Sequence, residues 1–169
     1  MLNSRLPLLL AASLLSAASS PLRAQGLPEQ QPEQARPPGL VILERRTVPY
    51  GQQVTGIYAV RPADDIANGK RLKVWEEKVN DVKVRNETLL CSVSSPARIT
   101  SSGSQLLMQE LNPGGAIGPH NKLSHLIWWA GCHPEQAGKD PAELVPLARK
   151  LGFSGTIQER EHLLPGNPR

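Results

Sequence analysis

The sequence predicts an α+β domain over residues 40–160, in which a small, mainly antiparallel sheet is packed by one or two helices and fastened by one disulfide. Three observations indicate this. Apolar and charged residues alternate in the middle of the chain, a full set of capping residues marks a helix near its end, and the chain contains two cysteines. At 169 residues, the chain has the length of a single domain.

The alternation predicts a hairpin of two strands. Leucine and valine alternate with lysine and arginine at the start of two runs, one on each side of Asn80-Asp81. A two-residue period is typical of a strand with one buried face, and Asn and Asp tolerate the positive φ angles of a two-residue turn. We therefore expect strands over 71–79 and 82–93, with the apolar residues on the buried face.

Shorter apolar runs, bounded by glycine, proline or charged residues, predict further strands. Glycine and proline punctuate the residues before the second of these runs, so that strand is expected to be short. The further strands are expected at 40–43, 57–60, 97–100 (paired with 105–111) and 156–160.

The capping residues predict a helix that begins at Pro141. Asp140 precedes it as the N-cap, and Glu143 lies three residues after the cap. Gly152 is placed to end the helix in the left-handed conformation. The expected buried stripe of this helix consists of Leu144, Leu147, Ala148 and Leu151.

The segment 123–130 contains two of the three tryptophans and is expected to form the centre of the core. It is compatible with a helix, capped at Asn121 or Ser124 and ending at Gly131, or with a buried strand. A short apolar run does not separate these two structures.

The first 24 residues have the composition of an export signal. Arg5 precedes an apolar run and small residues follow it. The bond after Ala24 is the expected cleavage site, and the bond after Ala18 is the alternative. The apolar run is about ten residues long, too short to span a bilayer, so no stable membrane insertion is expected once the signal is removed. The expected location is the periplasm or the outside of the cell.

Both ends of the mature chain are expected to be loose. Residues 25–39 contain four prolines, four glutamines and few apolar side chains, which predicts a disordered spacer. Residues 161–169 are expected to form a loose C-terminal tail.

Export favours oxidised cysteines, so Cys91 and Cys132 are expected to form the single disulfide. A cross-link of this span restricts the unfolded chain and should be a large part of the stability of so short a domain.

The charge of the mature chain gives no support for nucleic-acid binding. Removal of Arg5 and Arg23 leaves 19 − 2 = 17 basic against 15 acidic residues, a net charge of +2. Proteins that bind nucleic acid carry a clustered basic excess. The densest cluster, Lys70-Arg71-Leu72-Lys73, is soon followed by Glu76 and Glu77, and we interpret it as a solvated strand face.

The histidines are the candidates for metal chemistry. His120, His125, Cys132 and His133 lie within fourteen residues, and imidazole and thiolate suit zinc. Their spacing matches no paired zinc signature, and the expected disulfide removes the thiolate. No metal site and no cofactor are therefore predicted, and His125 and His133 are the weak candidates.

Nucleophilic catalysis has little support in the sequence. Ser124 adjoins His125, but neighbouring residues point apart in a strand or a helix, so the two do not make a nucleophile–base pair. The chain also lacks a Gly-x-Ser-x-Gly elbow. The catalytic residues of any enzyme activity stay unassigned.

A binding surface is predicted around the adjacent tryptophans. Trp128 and Trp129 project in different directions, so the alternatives are that both pack in the core or that one of them serves as a surface anchor. With His125 or His120 beside it, such a ring would line a groove for a peptide or a glycan.

The leading prediction is an exported, non-catalytic module that is structural or binds a protein, peptide or glycan. The alternative is a small periplasmic hydrolase or metal-dependent enzyme that uses His120, His125 or His133. The sequence leaves the oligomeric state open.

Overall fold

The computed structural model of the protein describes residues 36–79, 81–102 and 104–165. The predicted export signal, most of the predicted spacer and the last four residues of the predicted tail lie outside these ranges. The export signal and the disorder of the spacer therefore stay predictions.

Seven strands form one antiparallel sheet, and each strand pairs with the next strand along the chain. The strands are β1 (Val41–Val48), β2 (Gly51–Pro62), β3 (Gly69–Lys78), β4 (Asp81–Leu90), β5 (Ala97–Ser102), β6 (Gln105–Glu110) and β7 (Glu161–Pro165). Between β6 and β7 lie α1 (Lys122–Cys132), a 3-10 turn (Pro134–Gln136) and α2 (Pro141–Lys150). The antiparallel sheet and its packing helices are confirmed, although strands take a larger share of the chain than the expected α+β class implies.

The side chains of β3 define the two faces of the sheet. Leu72 and Val74 belong to the hydrophobic core shared with the helices, and we call their side the core face. Lys73 and Trp75 alternate with them along the strand and lie on the opposite side, which we call the open face.

The tryptophan segment is a helix, α1, and forms the centre of the core as expected. Ile127 and Trp128 are fully buried in it. Gly131 lies where the helix meets β3 and β4, because a Cβ atom there would meet the side chains of Leu89 and Leu72. The strand alternative for this segment is therefore wrong.

The disulfide between Cys91 and Cys132 is confirmed, with the two Cα atoms 5.5 Å apart. Cys91 directly follows β4, and Cys132 is the last residue of α1. The bond therefore fastens the central helix to the middle of the sheet.

The second helix begins as predicted. The Asp140 carboxylate accepts a hydrogen bond of 3.0 Å from the Ala142 N–H, and Gly152 has a φ of +97° beyond the last turn. Its buried stripe is narrower than expected, since Leu151 is 43% exposed. Neither α1 nor α2 is long and apolar enough to cross a membrane.

Strand β2 is longer than the predicted strand at 57–60, because the glycines before that segment do not interrupt the sheet. A Cβ atom at Gly56 would lie 2.7 Å from the Val41 carbonyl oxygen, so the glycine allows β1 to approach β2 closely. Glycine, which predicted an interruption of this strand, therefore makes the close pairing of β1 and β2 possible.

Strands β3 and β4 form the predicted hairpin, with Trp75 opposite Val84 and Val74 opposite Arg85. The expected burial of β4 is wrong in its first half. Val84 is 45% exposed on the open face, whereas Arg85 and the buried Glu87 lie on the core face. Alternation defines two faces of a strand without identifying the inner one, and here ion pairs allow the polar face to point inward.

The C-terminal strand lies later than predicted. Residues 156–160 form no strand, and β7 occupies residues 161–165 of the expected loose tail, paired with β6. Before β7, the Asn112 amide donates to the carbonyl groups of Gly155 and Ile157 at 2.9 and 2.8 Å. Residues 155–157 are therefore held by side-chain hydrogen bonds instead of the backbone pairing of the predicted strand.

Candidate binding site

The predicted tryptophan–histidine surface does not form. Trp128 and His125 are fully buried, and Trp129 is 1% exposed. The indole N–H of Trp128 donates to the Leu90 carbonyl oxygen at 2.9 Å, which holds this ring inside the core. His120 is exposed before α1, so the surface prediction is wrong for three of its four residues.

His125 is committed to a buried hydrogen bond. Its Nε2 lies 2.6 Å from Oε1 of Glu159, and the carboxylate also accepts from the Asn112 N–H at 3.0 Å and from the Asn121 amide at 2.9 Å. An ionised carboxylate only accepts, so Nε2 of His125 carries the hydrogen. These contacts attach the segment before β7 to α1.

The surroundings of Glu159 act on its pKa in opposite directions. Burial raises the pKa, whereas the hydrogen bonds from His125 and Asn121 lower it, and the resulting pKa lies below the ordinary value of 4.5. Glu159 is therefore held as a carboxylate in the folded protein at neutral pH.

Replacing Glu159 by glutamine should destabilise the protein at neutral pH by about 1–3 kcal/mol and reduce its acid sensitivity. The pKa of Glu159 is lower in the folded state than in the unfolded chain. The carboxylate therefore stabilises the fold above the unfolded pKa, and this contribution is lost as the pH falls through the folded value. Urea denaturation from neutral to acidic pH should show a lower starting stability and a shallower decline than in the wild type.

Glu161→Gln is the matched control, because the Glu161 side chain is exposed and makes no hydrogen bond or ion pair with any part of the chain that the structure describes. It should follow the wild-type pH profile. Indistinguishable profiles for the two variants would show that the His125–Glu159 contact does not contribute to the acid sensitivity.

The structure does not bring the candidate metal ligands together. Cys132 is in the disulfide, and His133 lies against the ring of Trp129 with the ring centroids 5.0 Å apart. Within residues 36–165, apart from the two undescribed positions, no group of three or more His, Cys, Asp or Glu side chains is placed to hold a metal ion. The weak candidates His125 and His133 therefore belong to no such group among these residues.

Ser124 is placed in a polar cleft of about 320 Å³ on the core face, which His120 also lines. Its hydroxyl group donates to the Gln109 amide oxygen at 2.6 Å and accepts from the Arg98 guanidinium at 3.0 Å. The hydroxyl proton is thus directed at a weak base, which does not activate a nucleophile.

A buried ion-pair network lies at the base of this cleft. Arg98 binds the fully buried Glu87 carboxylate through two hydrogen bonds of 2.6 and 2.7 Å. Arg85 binds Glu76 in the same bidentate way at 2.8 and 2.9 Å and also reaches Glu87. The network contains as many carboxylates as guanidinium groups, so it is a structural element rather than an ion site.

A different concave surface brings three cationic side chains together. We call it the cationic groove; it lies on the open face and has a volume of about 480 Å³. Residues of strands β2 to β6 and of the loop between β2 and β3 line it, and polar and apolar side chains share its walls. The residues that define it are Arg61, Arg71, Lys73, Asn86, Thr88 and Ile99.

Like charges face each other in the cationic groove. The register of β2 shifts after Tyr58, and Arg61 becomes the direct cross-strand partner of Arg71. Arg71 binds the exposed Asp65 at 2.6 Å, and the Lys73 ammonium lies 5.8 Å from the centroid of the Tyr58 ring. The Arg61 guanidinium makes no hydrogen bond or ion pair within the described part of the chain.

Sequence reasoning did not identify this groove, because Glu76 and Glu77 follow the basic cluster closely in the chain. In the structure, Glu76 pairs with Arg85, and Glu77 pairs with Arg36 at 2.9 Å. Neither acid neutralises Arg71 or Lys73. The interpretation of residues 70–73 as an ordinary solvated face therefore overlooked the contribution of β2, which joins this cluster only through strand pairing.

Comparison with known proteins assigns no function to the chain. No protein-family model matches it, and neither the curated proteins nor the solved structures contain a significant match. Its function must therefore be inferred from the arrangement of its own residues.

Proposed function

We propose that this chain is an exported, non-catalytic binding module and that the cationic groove is its ligand site. The observation that carries the proposal is the pairing of Arg61 with Arg71 at a concave surface. Like charges placed directly opposite each other on a sheet destabilise it. A bound anion relieves that repulsion, so the folded protein favours anionic ligands at this position.

The side chains around the cations support the same proposal. Asn86 and Thr88 supply neutral hydrogen-bonding groups beside Lys73 and Arg71, and Ile99 supplies an apolar wall. A few polar groups on a partly apolar concave surface of this size are typical of ligand sites. Export is supported by the disulfide, since such bonds persist in oxidising compartments.

The enzyme alternative receives less support from the geometry. His125 is bound to Glu159 in the core, and His133 packs against the tryptophans. His120 lines the cleft that contains Ser124, but the Ser124 hydroxyl group is already engaged by Gln109 and Arg98. The geometry favours the binding module over a hydrolase.

The proposal is tested by titrating the mature protein with a small tricarboxylate, citrate, and following the backbone amide resonances by NMR. We expect saturable shifts at the groove residues, which weaken as the salt concentration rises. Shifts that centre on His120 and Ser124 instead, or that are spread over the whole surface, would contradict the assignment of the groove.

A further inference from the structure

We propose that the cationic groove binds an extended acidic peptide of a protein partner, with acidic side chains at alternate positions. This inference rests on the proposed function and names its ligand class. One acidic side chain lies between Arg61 and Arg71, and the next one binds Lys73.

The spacing of the cations supports an extended peptide. Arg71 and Lys73 are two residues apart on β3, so their side chains leave the same face about 6.4–6.8 Å apart along the strand. Alternate side chains of an extended peptide repeat at this same distance. A peptide that lies along β3 therefore presents two carboxylates in register with the two cations, whereas adjacent acids would point to opposite sides.

A carboxylate of the protein itself, that of Asp65, already binds one of the groove cations. The Asp65 carboxylate lies 2.6 Å from Nη2 of Arg71, although the Asp65 side chain is 61% exposed. Exposed ion pairs of this kind contribute little stability, so a ligand carboxylate can replace this contact at small cost. The ligand would gain charge-assisted hydrogen bonds from Arg61 as well.

The shape and the walls of the groove favour a peptide over a lipid bilayer. The groove is concave, and its lining includes the apolar residues Ile66, Ile99 and Leu106. These apolar residues are placed to contact the apolar side chains that flank the acids of a peptide. A flat bilayer surface presents no segment that enters a cleft of about 480 Å³.

The test uses two synthetic peptides of identical composition. In one, two glutamates alternate with leucine and valine, and in the other the two glutamates are adjacent. Binding of each to the mature protein is measured by isothermal titration calorimetry. We expect the alternating peptide to bind about tenfold more tightly than its isomer, and the double variant Arg61→Gln/Lys73→Gln to lose about tenfold in affinity.

Lys78→Gln is the matched control, because Lys78 is an exposed cation on the same strand but lies on the core-face side of the alternation. It removes a charge from β3 without touching the groove and should leave binding unchanged. Circular dichroism should show that all the variants keep the wild-type fold, since Arg61, Lys73 and Lys78 are exposed.

Four results would overturn the inference. Equal affinity for the two peptides, or equal losses in the groove variant and in Lys78→Gln, would indicate unspecific charge attraction. Tighter binding to vesicles of phosphatidylglycerol and phosphatidylethanolamine, lost in the groove variant, would identify a membrane surface as the ligand. Binding of citrate in the groove without binding of either peptide would leave the proposed function intact and reject the peptide.

Discussion

Replacing Glu87 by glutamine is expected to lower the free energy of unfolding by about 3–5 kcal/mol. The Glu87 side chain is fully buried and the Arg98 side chain is 10% exposed, so the variant leaves a buried guanidinium without its carboxylate. Arg85 keeps its bidentate contact with Glu76, which makes Arg98 the main source of the loss. Urea denaturation at neutral pH measures the effect directly.

Two controls separate this effect from a general loss of surface charge. Asp81→Asn removes a carboxylate from the same strand, but Asp81 is 64% exposed and lies 4.0 Å from Lys83, so the stability should change by less than about 1 kcal/mol. The double variant Glu87→Leu/Arg98→Met removes both partners and should recover much of the lost stability. A double variant as unstable as Glu87→Gln would show that the ion pair itself is not the cause.

Breaking the disulfide is expected to lower the free energy of unfolding by about 4 kcal/mol, because the bond closes a long loop in the unfolded chain. Cys91 and Cys132 are 41 residues apart in sequence, and the bond joins the end of β4 to the end of α1. The Cys91→Ser/Cys132→Ser protein should therefore unfold at a much lower urea concentration than the oxidised wild type.

Chemical reduction of the wild-type disulfide provides a second measurement, which is compared with the double serine variant. Dithiothreitol should shift the wild-type urea midpoint towards that of the double serine variant and leave the variant itself unchanged. A wild-type midpoint that does not respond to complete reduction would mean that the bond contributes no net stability.

Local signals in the sequence predicted the elements whose structure depends on neighbouring residues. Asp140 and Gly152 mark the ends of α2 through hydrogen bonding and backbone conformation that involve only nearby residues. The hairpin of β3 and β4 has its turn residues between two alternating runs. The disulfide followed from the count of cysteines together with the expected export.

The features that sequence reasoning missed depend on contacts between distant segments. Val84 and Arg85 alternate in a regular way, but the partners Glu76 and Glu87 decide which of the two faces inward. Trp129 is buried because the rest of the domain covers it, and composition alone does not show this. The cationic groove depends on a register shift in β2, and no local sequence motif predicts that shift.

The position of β7 bears on the order in which the sheet assembles. Strands β1 to β6 each pair with a neighbour that is already close in the chain, so the sheet is able to grow from the N-terminus with short loops. The partner of β7, however, precedes it by about 50 residues, across both helices. Until the last residues arrive, β6 is an edge with unpaired backbone groups and is exposed to pairing with other chains. A chain that stops before Glu161 would keep β6 as the edge strand, whereas in the folded sheet the edge is β7, which has 5 residues. Short edge strands are one way in which proteins limit pairing with other chains.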